Sequence, residues 1–129
     1  MQRRAAAIDF TNADIDAVID INLKAVLVSC QEFARPLLAS SPPRGGKIIN
    51  IASVISFIGG KNITPYAASK GGVLQITKAL SNEWAENGIQ CNCIHPGYFR
   101  TPMTDQYVED PKYASFNDYV RADFLALCA

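Results

Sequence analysis

Residues 47–95 carry the pattern that most restricts the fold: a short β-branched run, a long helical segment with a marked start and stop, and a second β-branched run. The run "KIINIAS" (47–53) alternates poorly and suits a parallel strand buried on both faces. Thr64 reads as the N-cap of the helical segment, with Pro65 at the first helical position, and the helix extends to about Glu86. Asn87 and Gly88 end it in a left-handed turn, and "IQCNCIH" (89–95) follows as the next strand. Strand, helix and strand in this order predict a right-handed βαβ unit, whose ligands gather beyond the carboxyl ends of the strands. Ser53 closes the first strand, Tyr66 and Lys70 occupy the opening turns of the crossover helix, and "HPGYFRTP" leaves the second strand. All three features fall at that end.

Upstream, residues 11–38 predict another helix. Thr11 and Asp14 stand at capping-box-like spacing, and Ile15, Ile19, Val26, Cys30, Phe33 and Leu37 recur at helical intervals. Asn22 falls within that apolar stripe, where an amide without partners would cost about 1–3 kcal/mol, so it is either bonded structurally or used. Val18, Ile21, Ala25 and Val28 widen the stripe and predict a helix covered on more than one side. Pro36 weakens or kinks its end. "SSPPRGG" (40–46) is loop by composition.

The rest of the sequence narrows the function classes. Twelve basic residues balance twelve acidic ones with no run of like charge, which gives no electrostatic reason to expect nucleic acid or an anionic membrane as partner. No apolar stretch approaches the roughly 20 residues that span a bilayer, and the N-terminus lacks the apolar core of a secretory signal. A cytoplasmic location is the default expectation. Cys91 and Cys93 alternate with His95 and could share one face, but three ligands without a fourth fit buried packing better than a metal. "GGK" at 45–47 and 59–61 lacks the remaining residues of a phosphate-binding P-loop.

A phenol ordinarily ionises near pH 10, so a tyrosine serving as general acid/base needs a cation beside it. Lys70 follows Tyr66 by one helical turn on the same face and is placed to act as that cation. A serine hydroxyl at the neighbouring strand end, Ser53, is placed to donate to a carbonyl oxygen as it gains charge. Gly71 and Gly72 weaken the helix by about 1 kcal/mol each relative to alanine, a cost that makes sense where a backbone or a ligand approaches closely. Singly these features are ordinary: a Tyr four residues before a Lys is more often helix surface, and a Ser after a strand is more often a turn residue. Their convergence with Asn22 in one βαβ crevice is much more specific.

"INIASVISFIGGKNITPYAASKGG" resembles the catalytic segment of the short-chain dehydrogenase/reductase family, with Ser, Tyr and Lys at the family's spacing. "VIDINLKAV" is similar to the family's helix with the catalytic asparagine, and "GIQCNCIHPGYFRTPM" resembles its strand and Pro-Gly cofactor loop. The match extends from about residue 10 to about residue 122. The resemblance implies that Tyr66 is the general acid/base and that Lys70 assists it while binding the nicotinamide ribose. It further implies that Ser53 polarises the substrate carbonyl and that Asn22 holds a water linking Lys70 to a proton relay. Pro96 and Gly97 would shape the loop beside the nicotinamide, with Thr101 bonding the carboxamide and the backbone near Phe99 close to it. The implied reaction is hydride transfer between NAD or NADP and a small secondary alcohol or ketone. Residues 57–106 look most like the sugar-acid and polyol dehydrogenases, such as gluconate or deoxygluconate dehydrogenases.

Two parts of the family pattern are missing. No glycine precedes Gly45, so the Gly-rich turn that seats the cofactor pyrophosphate is absent, as is the family's Asn-Asn-Ala-Gly strand end. After "FNDYVRA" the sequence also departs from the family. Residues 1–129 are therefore expected to form a single incomplete domain: an α/β, partial Rossmann-like doubly wound parallel sheet truncated at both ends, with two of its parallel strands remaining. The resemblance implies a homo-oligomer for the full-length form. The competing expectation is a catalytically inactive fragment that acts only as a subunit-interaction module.

Overall fold

The computed structural model describes residues 1–97 and the strand at 125–128. After a short 3-10 turn at Ala7–Asp9, helix α1 spans Asn12–Ile19, a π-helical segment spans Asp20–Lys24, and helix α2 spans Ala25–Leu38. Strand β1 (Gly46–Ile51) leads through the short helix α3 (Ile55–Ile58) to the long helix α4 (Thr64–Trp84). A 3-10 turn, Ala85–Asn87, then precedes strand β2 (Ile89–Pro96). Strand β3 (Leu125–Cys128) completes a sheet of order β1-β2-β3.

β1 and β2 pair in parallel with Ile48 opposite Cys91 and Asn50 opposite Cys93, as the βαβ reading requires. The pairing continues beyond the strand end through Ala52 N–H to the Ile94 carbonyl at 2.9 Å and Val54 N–H to the Pro96 carbonyl at 3.0 Å. β3 departs from expectation: it adds to β2 in the antiparallel sense, with His95 opposite Ala126. Two parallel strands and one antiparallel strand thus form the described sheet.

Thr11 caps α1, its hydroxyl accepting from Asp14 N–H at 3.1 Å and donating to the Asp14 carboxylate at 2.9 Å. The expected continuous helix over 11–38 is interrupted by the π segment, where Ala25 N–H reaches back to the Asp20 carbonyl. Such one-turn expansions realign the residues they contain and recur at functional sites. Val18, Asn22, Cys30 and Ala34 form the buried edge of this helical run. The predicted wider cover is corrected, because Ile21 and Val28 are exposed along with Phe33. Helix α2 carries Pro36 in its last turn and ends two residues later.

Two further expectations are corrected. Ile63, not Thr64, is the N-cap of α4; Thr64 is the first helical residue and makes no side-chain cap. The connection at 54–63 is not all loop, since α3 lies within it and Ser56 Oγ ties it to the Lys70 carbonyl at 2.9 Å. The C-terminal end of α4 behaves as predicted, with Gly88 in the left-handed region at φ 77°.

Helices α2 and α4 cover one face of the sheet. Cys30, Ala34, Ile48, Leu80, Trp84, Ile89 and Cys91 form the main core cluster there, and Ala52, Val73 and Cys93 form a second beside it. Each large apolar side chain fully buried in this way contributes about 1.5–3 kcal/mol. The opposite face is open among the described residues: Ile49 is 61% and Ile51 51% exposed, which corrects the expectation of a strand buried on both faces. β1 therefore alternates in burial after all, with Ile48 and Asn50 inward.

Candidate active site

The carboxyl ends of β1 and β2, the start of α4 and the π segment meet at one end of the sheet. Lys70 reaches from the second turn of α4 across to β1, where its Nζ donates to the Ile51 carbonyl at 2.7 Å. The same Nζ lies 5.9 Å from the centre of the Tyr66 ring, so phenol and ammonium share one face of the helix, as their spacing predicts. Burial pushes the Lys70 ammonium below its ordinary ionisation value, and the nearby Cys93 partly offsets this.

Ser53 lies two residues past Ile51 and is buried. Its hydroxyl oxygen accepts the Ile55 N–H at 3.2 Å, and its proton has no acceptor among the described residues. The bond from the start of α3 thus occupies a lone pair and leaves the Ser53 O–H available as a donor. The Ser53 carbonyl faces the imidazole of His95, with Nδ1 at 3.2 Å.

Asn22 is buried on the π segment and fully engaged. Its Nδ2 donates to the Met1 carbonyl at 2.6 Å and to Ser69 Oγ at 3.3 Å, while its Oδ1 accepts from the Met1 amino nitrogen at 2.8 Å. Ser69 Oγ in turn donates to the Tyr66 carbonyl at 2.7 Å. Asn22 is therefore connected to the Tyr66 turn through Ser69, a residue that sequence reasoning passed over. Its signal was present: Ser69 follows Tyr66 by three residues, the spacing at which a helical serine faces the preceding turn.

The glycine pair divides. A β-carbon at Gly72 would come within 2.7 and 2.9 Å of the Leu23 methyl groups on the π segment, so α4 and that segment pack more closely there than alanine allows without a shift. A β-carbon at Gly71 would meet only the Ser56 carbonyl oxygen at 3.8 Å, an ordinary contact. Close approach explains Gly72 and not Gly71.

Beneath the site, Cys30 Sγ donates to Asn50 Oδ1 at 3.5 Å, Asn50 Nδ2 to Thr77 Oγ1 at 3.0 Å, and Thr77 Oγ1 to the Val73 carbonyl at 2.8 Å. This buried chain joins both helices to β1. Burial raises the Cys30 thiol above its ordinary value, partly offset by Asn50, and also raises Cys91, with Cys30 adding to that effect. Pro96 ends β2, and Gly97 follows it at the same end of the sheet. Phe99 and Thr101 lie outside the described residues.

With this geometry in place, comparison with known proteins decides the family: the profile of the short chain dehydrogenases matches residues 1–112. The chain belongs to the short chain dehydrogenase family. It is 44% identical over 108 residues to the 2-dehydro-3-deoxy-D-gluconate 5-dehydrogenase of Escherichia coli (strain K12), covering 84% of this chain and 42% of that protein. It is 39% identical over 117 residues to the gluconate 5-dehydrogenase of Gluconobacter oxydans (strain 621H), covering 90% of this chain and 44% of that protein. Among solved structures, the gluconate 5-dehydrogenase of Burkholderia cenocepacia J2315 in complex with NADP and tartrate superposes with a TM-score of 0.78 at 40% identity. That match covers 90% of this chain and 44% of the other. The chain spans less than half the length of these relatives, and its sheet is part of a Rossmann-like α/β fold.

Proposed function

We propose that this chain carries the catalytic half of an NAD(P)-dependent oxidoreductase that interconverts a secondary alcohol and a ketone on a sugar acid or polyol. The observation that carries the reading is the placement of Lys70 Nζ, held at 2.7 Å by the Ile51 carbonyl and 5.9 Å from the Tyr66 ring. The donor set fits the group implied. An ammonium has three protons to donate, and one is spent on Ile51, which leaves two for the ribose hydroxyls of a nicotinamide cofactor. Pro96 and Gly97, at the carboxyl end of β2, would help to hold the nicotinamide.

The cofactor supplies or accepts the hydride, and the protein positions and polarises. The free Ser53 O–H donates to the substrate oxygen as negative charge develops on it. Tyr66 gives that oxygen a proton during reduction and takes one during oxidation. The Lys70 cation stabilises negative charge on the Tyr66 oxygen as its proton leaves. Asn22, through Ser69, fixes the Tyr66 turn against the π segment.

Sugar acids are favoured as substrates by the gluconate and deoxygluconate dehydrogenases that this chain is similar to, and NADP by the bound cofactor of the Burkholderia structure. A cytoplasmic setting belongs to the same reading, supported by the free thiols of Cys30 and Cys91. Homo-oligomeric assembly of the longer form is supported by the exposed Ile21, Val28 and Phe33 along the first helical run. No helix of the described residues is long and apolar enough to cross a membrane.

The test is a chimera in which the matched residues of this chain replace their counterparts in the Escherichia coli relative. Oxidation of NADPH or NADH that depends on a keto sugar acid supports the reading. A chimera with native circular dichroism that oxidises neither cofactor with any keto sugar acid would count against it.

A further inference from the structure

His95 is fully buried at the end of β2, and the mechanism above does not use it. Its Nδ1 lies 3.2 Å from the Ser53 carbonyl oxygen, and its ring packs at 4.7 Å between centres against Phe57, tilted by 50°. We propose that His95 is a positioning residue for the candidate site: its Nδ1–H grips the Ser53 carbonyl and so fixes the direction of the Ser53 hydroxyl. This rests on the role assigned to Ser53 above.

The direction of the bond follows from the partners. A carbonyl oxygen offers only lone pairs, so the contact is attractive only when Nδ1 carries the proton. The neutral ring then has its lone pair on Nε2, which is buried and has no hydrogen-bond partner among the described residues. The fold accepts one orphaned acceptor in exchange for the Ser53 contact.

The contact lies where the β1–β2 ladder ends. Ala52 and Val54 both donate to β2 carbonyls, but Pro96 has no N–H to return. The imidazole provides a side-chain donor next to that gap. Held by it, the Ser53 peptide keeps Oγ within reach of the Ile55 N–H, which in turn keeps the serine proton pointing away from α3. Phe57, on the same short helix, limits the imidazole's tilt.

His95 is the chain's one histidine, so a single pair of imidazole nitrogen resonances reports its tautomer without assignment. A neutral Nδ1–H ring in the 15N spectrum is expected; an Nε2–H ring overturns the proposal. Hydrogen exchange in His95→Leu and His95→Asn supplies the second arm, since the asparagine amide can replace Nδ1–H while leucine cannot. In His95→Leu the Ile55 amide should exchange on the order of tenfold faster, with the Cys91 amide in the strand ladder unchanged, and His95→Asn should restore it. Equal acceleration in both variants, or acceleration of Ile55 and Cys91 together, would reduce His95 to a packing residue. Neither arm needs cofactor or turnover, so an inactive chimera would leave the His95–Ser53 contact standing while removing the role built on it, and an Nε2–H tautomer would leave the proposed reaction standing.

Discussion

Lys70 and Ile51 are joined by a 2.7 Å hydrogen bond that ties the second turn of α4 to the end of β1. The bond crosses the mouth of the βαβ unit and fixes the ammonium where helix start and strand end meet. Position and ionisation of Lys70 are therefore linked, because the reach that places Nζ near Tyr66 also takes it partly out of water.

That burial predicts a pH signature in stability. The folded chain holds the Lys70 proton less tightly than the unfolded chain, whose lysine has the ordinary value of 10.5. Between the lowered folded value and 10.5, the unfolded state binds more protons, so stability rises with pH across that window. Below the window both states are protonated and the slope vanishes. Chemical denaturation of the parent and of Lys70→Met should show the parent gaining on the variant as pH rises toward 10.5. A difference that is flat or falls with pH would show that Lys70 is not penalised by burial.

The two glycines of α4 should respond differently to alanine. Gly71→Ala adds a methyl group in ordinary contact and removes a weak helix former, so it should stabilise by up to about 1 kcal/mol. Gly72→Ala gains the same propensity but drives a methyl group into Leu23, so its net gain should be smaller or negative. Urea midpoints of the two variants decide this; Gly72→Ala at least as stable as Gly71→Ala would contradict the packing account.

The sequence carries no Gly-rich turn for the cofactor pyrophosphate, and hydride chemistry needs the cofactor held to within fractions of an ångström. The isolated chain is therefore expected to bind NADPH weakly or not at all. Fluorescence titration of NADPH checks this, and micromolar affinity would refute it.

Much of this architecture is legible in the amino-acid sequence, for identifiable reasons. The α4 region reads clearly because a long segment bounded by Pro65 and Gly88 leaves little choice of period or ends. Tyr66 and Lys70 read as a pair because one helical turn fixes their relation whatever surrounds them. The π segment was hidden, since Asn22 fits an α-helical stripe equally well and only packing against Gly72 and Ser69 reveals the expansion. Asn50 escaped notice because a buried amide in a strand looks like any polar residue until Cys30 and Thr77 are brought to it. The cover of β1 was misjudged for a similar reason: "KIINI" has apolar residues at both parities, and only tertiary structure shows that Ile49 and Ile51 face outward. Cys91, Cys93 and His95 share one buried face, as their alternation in the sequence suggests, but the partner of His95 is the Ser53 carbonyl, far away in sequence.

The central claim is that Tyr66 moves the proton. Within the active chimera, kcat for reduction of a keto sugar acid should fall by about 100-fold or more in Tyr66→Phe, the usual range for loss of a general acid, with KM changing little. A Tyr66→Phe chimera that keeps kcat within about threefold of its parent would contradict the account, because no acid/base role in proton transfer is compatible with so small a loss.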